Sequence, residues 1–143
     1  MKKYVFSLQK LLNFREFQEK KTETELIKAI GARDAIQLKL QETAKKRVAA
    51  SSSRAGSVPV EDLAAIELYI TRLDNEKEKL LSDLAAAELT VEQCRKKYIE
   101  ASQARQVITK LKEKHKNEWH KMLLDEEADI LDEIANARTR NQS

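Results

Sequence analysis

Apolar residues recur every three or four positions through the second half of the chain. The series begins at Leu63 and ends at Ile108, and twelve of its fourteen positions are apolar. This spacing is the heptad pattern of a coiled coil, which keeps an apolar stripe facing a partner helix. We call these positions the heptad seam: Leu63, Ile66, Ile70, Leu73, Lys77, Leu80, Leu84, Ala87, Val91, Cys94, Tyr98, Ala101, Arg105 and Ile108.

One segment interrupts the helical pattern. Residues 51–60 contain three consecutive serines, Gly56 and Pro59, which are typical of a turn, and the proline disfavours helix at Val58. Two acidic residues follow it, where the dipole of a new helix favours negative charge. The pattern predicts a single domain with helix one over about residues 4–50, a turn over 51–60 and helix two over about 60–138.

The turn allows the two helices to pair with each other. In an antiparallel hairpin, residue i of helix one would face roughly residue 111 − i of helix two. Ile108 would then lie opposite Tyr4, so the seam would end where helix one begins. This match favours an intrachain hairpin over a dimer of continuous rods. The facing positions of helix one are Leu8, Leu12, Arg15, Glu19, Thr22, Leu26, Ala29, Arg33, Ile36, Leu40, Thr43 and Arg47.

The predicted fold class is therefore all-α, a long antiparallel two-helix coiled coil in which helix two is the longer. The composition agrees, since only 5% of the 143 residues are aromatic and 36% are charged. A net charge of +3, from 27 basic and 24 acidic residues, is too balanced to favour nucleic acid. We find no secretion signal or membrane-spanning stretch and one cysteine, Cys94, on the seam, so we expect a cytoplasmic protein.

No pattern in the sequence indicates catalysis. His115 and His120 are five residues apart and do not share the helical face that a metal site would use. The acidic residues near the C-terminus lack the glycine and alternating ligands of a calcium loop. No phosphate-binding loop or nucleophile–base pair is evident. We expect no enzymatic activity, no metal and no cofactor.

The region beyond Ile108 is divided by charge. Its lysines form either a solvated face or a contact with an acidic protein. Trp119 lies where the predicted partner helix has ended, so it either caps the hairpin or anchors another protein. The lysines are Lys110, Lys112, Lys114, Lys116 and Lys121, and the acidic residues are Asp125, Glu126, Glu127, Asp129, Asp132 and Glu133.

Both ends of the chain resemble the FliJ family, the small coiled-coil component of the flagellar type III export apparatus. FSLQKLL at residues 6–12 is similar to that family's F-x-L-Q-x-L-L opening, and LDEIA at residues 131–135 is similar to its L-D-E-[IFL]-A ending. Between them, LKEK at residues 111–114 resembles the K-L-[KE]-x-[KR] stretch. Tyr69 and Leu73 lie where family members carry an aromatic residue followed by leucine.

The resemblance implies a non-enzymatic protein built like the central stalk subunit of rotary ATPases. Such a protein would bind and stimulate the hexameric export ATPase. It would also associate with the regulator of that ATPase, with the cytoplasmic domain of the export gate and with substrate chaperones. We expect a monomer at the inner membrane that neither inserts into the bilayer nor binds nucleic acid.

The resemblance also implies where partners bind. The ATPase contact would lie at the chain termini, and the contact with the export gate nearer the turn. The expected ATPase-binding residues are Leu8, Leu11, Leu12, Arg15, Trp119, Met122, Leu131, Asp132 and Glu133. The expected gate-binding residues are Tyr69, Leu73 and Leu80.

Two other interpretations remain at this point. The chain could be a generic coiled-coil scaffold, unrelated to secretion, that homodimerises through helix two. It could also bind RNA through the lysines of residues 110–121, which predicts binding that weakens steeply with salt. Light scattering distinguishes the first alternative, because the scaffold would be an obligate dimer.

Overall fold

The computed structural model describes residues 3–141 and contains two α-helices, α1 (Gln9–Arg54) and α2 (Val60–Asn141). They pack antiparallel as an α-hairpin with the longer helix second, which confirms the predicted fold class. Residues 3–8 precede α1 without helical structure, and residues 55–59 connect the helices. Among the described residues, no β-strand occurs.

The helix boundaries differ from the predicted ones at the turn. α1 continues through the three serines to Arg54, and the hydroxyls of two of them find acceptors within the helix. Ser52 donates to the carbonyl of Val48 at 3.0 Å, and Ser53 donates to that of Ala49 at 3.1 Å. α1 also begins later than expected, at Gln9, so Tyr4 and Phe6 lie outside the helix.

Contacts divide the chain into two units, each containing part of both helices. Unit 1 comprises residues 3–19 and 100–141 of the part described, and unit 2 comprises Lys20–Ile99. In unit 1 the buried side chains are Phe6 and Leu12. In unit 2 they are Thr43, Ala50, Ile70, Leu73, Leu80 and Val91.

The heptad seam is confirmed as the packing face of α2. Of its fourteen positions, only Leu63 and Lys77 are exposed, and the others are buried or half-buried. On α1, the predicted facing positions are likewise buried or half-buried except for Arg47. The seam is thus covered within the same chain, as a hairpin requires.

The pairing register, however, was predicted wrongly. In unit 2, Arg47 contacts Asp74, and in unit 1, Glu19 contacts Arg105. Both partners lie about ten residues further along α2 than the predicted register places them. The prediction assumed that the helices meet at the centre of the turn. Instead Arg54, the last residue of α1, contacts Glu67, so the start of α2 extends beyond α1.

This register has a consequence for unit 1. Intrachain contacts do not stop at Ile108 but continue along α2 to Lys112, His115 and Trp119. The residues that cover these positions are those just before and at the start of α1. Separately, no helix among residues 3–141 is long and apolar enough to span a bilayer.

Candidate partner-binding surfaces

The residues that precede α1 lie across α2 in unit 1. We call residues 4–8 the N-terminal clasp. The Tyr4 hydroxyl donates to the main-chain carbonyl of Lys112 at 3.2 Å, and the Tyr4 ring lies 5.7 Å from that of Trp119. Phe6 is 6% exposed and meets the ring of His115 edge-on at 5.9 Å. Trp119, itself half-buried, therefore caps the hairpin.

Polar contacts join the helices through the rest of unit 1. Arg105 Nε donates to Glu19 Oε2 at 2.9 Å, and Lys112 Nζ donates to Gln9 Oε1 at 2.7 Å. The side chains of the ion pair are only 27% and 21% exposed, so the pair is partly shielded from solvent. The buried Nε of Arg15 has no hydrogen-bond partner among the described residues. Such a group destabilises the packing around it.

Beyond the clasp, α2 continues without another helix of residues 3–141 packed against it. Residues 124–141 are all exposed. We call the apolar side chains here the C-terminal surface; they are Met122, Leu124, Ile130, Leu131 and Ile134, with exposures from 47% to 66%.

The same segment carries acidic residues where the seam would continue. Steps of four, three and four residues from Met122 reach Glu126, Asp129 and Glu133. An apolar helix therefore cannot extend the coiled coil here without burying carboxylates. Leu124, Ile130, Leu131 and Ile134 of the C-terminal surface lie on a different side of α2 from these carboxylates, whereas Met122 shares their side. A partner with basic groups beside an apolar area would fit there.

All of the expected ATPase-binding residues belong to unit 1. They differ in how accessible they are. Leu12 is buried at 4% exposure, and Leu8, Leu11, Arg15 and Trp119 are half-buried. The exposed members are Met122, Leu131, Asp132 and Glu133. The structure thus separates a group that packs the hairpin from a group that is open to a partner.

The expected gate-binding residues all belong to unit 2, and only one of them is at the surface. Leu73 and Leu80 are 3% and 8% exposed, whereas Tyr69 is 41% exposed. Beside Tyr69, Leu68 is 66% exposed. A partner meeting unit 2 in this conformation would contact Tyr69 and Leu68, whereas Leu73 and Leu80 are buried in the packing between the helices.

Near this surface, two ion pairs connect α1 to α2. Arg54 Nη1 lies 2.7 Å from Glu67 Oε1, and Arg47 Nε lies 2.6 Å from Asp74 Oδ1. The hydrogen bond from Arg47 lowers the pKa of the Asp74 carboxyl below its ordinary value, and the same bond raises the pKa of Arg47. These pairs hold the register of unit 2 beside the turn.

Some residues with distinct environments were missed by the sequence analysis. Tyr4 was assigned to helix one, and its contact with Trp119 follows from the later start of α1. Phe14 and Phe17 are 53% and 63% exposed and are absent from the predicted sites. The sequence did contain a signal for them. Aromatic residues are rare in this chain, and Phe14 and Phe17 lie three residues apart and off the packing face of helix one, which could have indicated an exposed aromatic pair.

Comparison with known proteins assigns the chain to a family. The family model described as "Flagellar FliJ protein" matches residues 3–143, essentially the whole chain. Neither the curated proteins nor the solved structures gave a match. Among residues 3–141, no group of three side chains could hold a metal ion. The chain belongs to the FliJ family and is a coiled-coil component of flagellar protein export.

Proposed function

We propose that the chain is a stalk-like subunit that binds the hexameric export ATPase through unit 1 and stimulates its hydrolysis of ATP. One observation carries the proposal. α2 continues beyond the clasp with every described residue from 124 onward exposed, and it presents the C-terminal surface within and beside the LDEIA segment. A helical segment with exposed apolar side chains is suited to a protein interface.

The chemistry of this surface indicates how a ring would recognise it. Burying one of its leucine or isoleucine side chains would contribute about 1.5–3 kcal/mol, which is large beside a single exposed ion pair. The surrounding carboxylates would orient the segment against basic groups of the ring. The apolar residues thus supply affinity and the acidic residues supply orientation.

Stimulation would be conformational. A single asymmetric helix inside a ring of six identical subunits contacts those subunits unequally. It therefore favours different nucleotide states in different subunits. The shift in each subunit can be no larger than the difference between the free energies with which the helix binds those states. The chain itself would take no part in the hydrolysis chemistry.

The remaining partners would use unit 2. We assign the cytoplasmic domain of the export gate to Tyr69 and its exposed neighbour Leu68, with Leu73 and Leu80 as supporting residues. The ATPase regulator and the substrate chaperones complete the set of partners that the family resemblance suggests. The protein would work as a monomer at the cytoplasmic side of the inner membrane.

ATP hydrolysis by the purified export ATPase tests the proposal. We expect wild-type protein to increase turnover, and the Leu131→Ser, Ile134→Ser double variant to reduce this stimulation about tenfold. Leu68→Ser is the matched control, because Leu68 and Leu131 are both 66% exposed. Unchanged turnover with stoichiometric wild-type protein would overturn the proposal. An obligate dimer without stimulation would favour the scaffold interpretation instead.

A further inference from the structure

We infer that the N-terminal clasp is displaceable, and that residues of the ATPase take its place on α2 when the complex forms. The inference rests on the proposed function and describes how its binding site is regulated. In the structure, the clasp lies against Lys112, His115 and Trp119. These positions continue the heptad seam, so they offer a helix-binding face that the chain itself has occupied.

Few contacts hold the clasp. Phe6 is its one buried side chain, whereas Val5 is 81% exposed and Ser7 is also exposed. At the end of the clasp next to α1, the carbonyl of Phe6 accepts from the Gln9 N–H at 3.1 Å, and that of Leu8 accepts from the Leu12 N–H at 2.9 Å. Before Phe6, the clasp is held by the Tyr4 hydroxyl and by the contact of its ring with Trp119. Ordering such a segment costs backbone entropy, which these few contacts must offset.

Release of the clasp would leave the helices intact. The carbonyl of Lys112 lies inside α2, and a carbonyl oxygen can accept two hydrogen bonds, so losing the one from Tyr4 need not disturb the helix. At its C-terminal end, the clasp is anchored by the start of α1. Leu12 is buried, and Gln9 is bonded to Lys112 through its side chain. Ser7 and Leu8, which form a turn, are the natural hinge.

The clasp also adjoins the open part of α2. Trp119 lies three residues before Met122, the first residue of the C-terminal surface. Helical residues three apart are neighbours on the surface of the helix. Removing Tyr4 from Trp119 would therefore expose its ring beside Met122, at the edge of the C-terminal surface, without any change in α2. The aromatic ring would become available as an anchor for the incoming partner.

A covalent lock tests the inference. In a Cys94→Ala background, Phe6→Cys and His115→Cys would be joined by a short bismaleimide. We expect the locked protein to stimulate the ATPase about fivefold less than the same variant before cross-linking. The matched control is a lock between Arg54→Cys and Glu67→Cys, whose native side chains lie 2.7 Å apart in unit 2. Capping the clasp cysteines singly with N-ethylmaleimide controls for the bulk of the reagent.

A second measurement follows Trp119, the single tryptophan of the chain. Incorporated 5-fluorotryptophan would give one ¹⁹F resonance, which unlabelled ATPase cannot obscure. We expect it to shift on binding, and to shift towards the same position in free Tyr4→Ala protein. Full stimulation by the clasp-locked protein, or ATPase binding without a ¹⁹F shift, would overturn the clasp inference alone. Absence of binding and stimulation by the wild-type protein would overturn the proposed function and this inference together.

Discussion

Glu19 and Arg105 form an ion pair of 2.9 Å across the two helices of unit 1, and both side chains are less than a third exposed. Each occupies a heptad position that an apolar residue would ordinarily fill. The pair is further supported by Thr109, whose hydroxyl accepts from Arg105 at 3.4 Å. A charged pair in this position fixes which residues of α1 and α2 meet.

We predict that Glu19→Gln destabilises unit 1 by about 1–2 kcal/mol, because Arg105 would retain its charge in a partly buried position without a carboxylate. Urea unfolding followed by Trp119 fluorescence measures the loss. Glu23→Gln is the control, since its pair with Lys20 is exposed and should contribute well under about 1 kcal/mol. Equal losses in the two variants would show that the burial of the first pair is unimportant.

Leu73 gives a prediction about unit 2, where it is 3% exposed. We predict that Leu73→Ala lowers the free energy of unfolding by about 2–5 kcal/mol, through lost apolar burial and the cavity left behind. Circular dichroism during urea unfolding checks this.

The control for Leu73 is Leu68→Ala, at an exposed position, which should change stability by less than about 0.5 kcal/mol. If Leu73→Ala proved as mild as the control, the buried seam would not be what stabilises unit 2. The comparison also determines whether loss of a partner in Leu73 variants arises from unfolding or from a lost contact.

The sequence was sufficient to predict which side of each helix packs against the other helix. It was not sufficient to predict the register, that is, which residue of α1 lies opposite which residue of α2. The seam from Ile66 to Ile108 is a periodic signal, and periodicity depends only on local spacing. The register depends on where α1 stops and on how far the start of α2 extends past it. α1 ends at Arg54, later than predicted, and Arg54 contacts Glu67 rather than the first residues of α2. Serine, glycine and proline indicate a turn but not how far one helix extends past the other.

The same limit applies to the candidate site. The LDEIA motif drew attention to Leu131, and the position past the seam drew attention to Trp119, but neither signal carries information on exposure. Only the register shows that Trp119 lies beneath Tyr4 whereas Leu131 is open to a partner. A short aromatic segment before a helix start has no period, so its docking on α2 could not be predicted from spacing.

The Arg47–Asp74 pair predicts a pH dependence for unit 2. The pKa of Asp74 is lowered in the folded protein by its hydrogen bond to Arg47. The resulting stabilisation is therefore present above the ordinary aspartate pKa and is lost as the pH falls through the lowered one. The same bond raises the pKa of Arg47, so Arg47 stays charged throughout the range in which Asp74 titrates.

We predict that Asp74→Asn lowers the thermal midpoint at neutral pH, and that its difference from wild type shrinks and disappears as the pH falls through the lowered pKa of Asp74. Thermal unfolding followed by circular dichroism at a series of pH values measures this. Because both side chains are nearly half exposed, added salt should shrink the difference. A difference that persists at low pH would mean that the asparagine acts through packing rather than charge.

The assignment of partners to different units makes the last prediction. Tyr69 and Leu131 are both exposed, and they belong to unit 2 and unit 1 respectively. We predict that Tyr69→Ala weakens binding to the cytoplasmic domain of the export gate about tenfold or more and leaves ATPase stimulation unchanged. Leu131→Ser should reduce ATPase stimulation and leave binding to the gate domain unchanged. Neither substitution removes a buried side chain, so both proteins should unfold at the wild-type urea concentration.

Calorimetry with the gate domain and turnover assays with the ATPase give the two readouts on the same preparations. Trp119→Ala is unsuitable for this comparison, because it removes the ring against which Tyr4 packs and so alters the clasp as well as the surface. Loss of both partners in either variant would indicate one shared surface. In that case the gate and the ATPase would compete for the chain, and a ternary complex could not form.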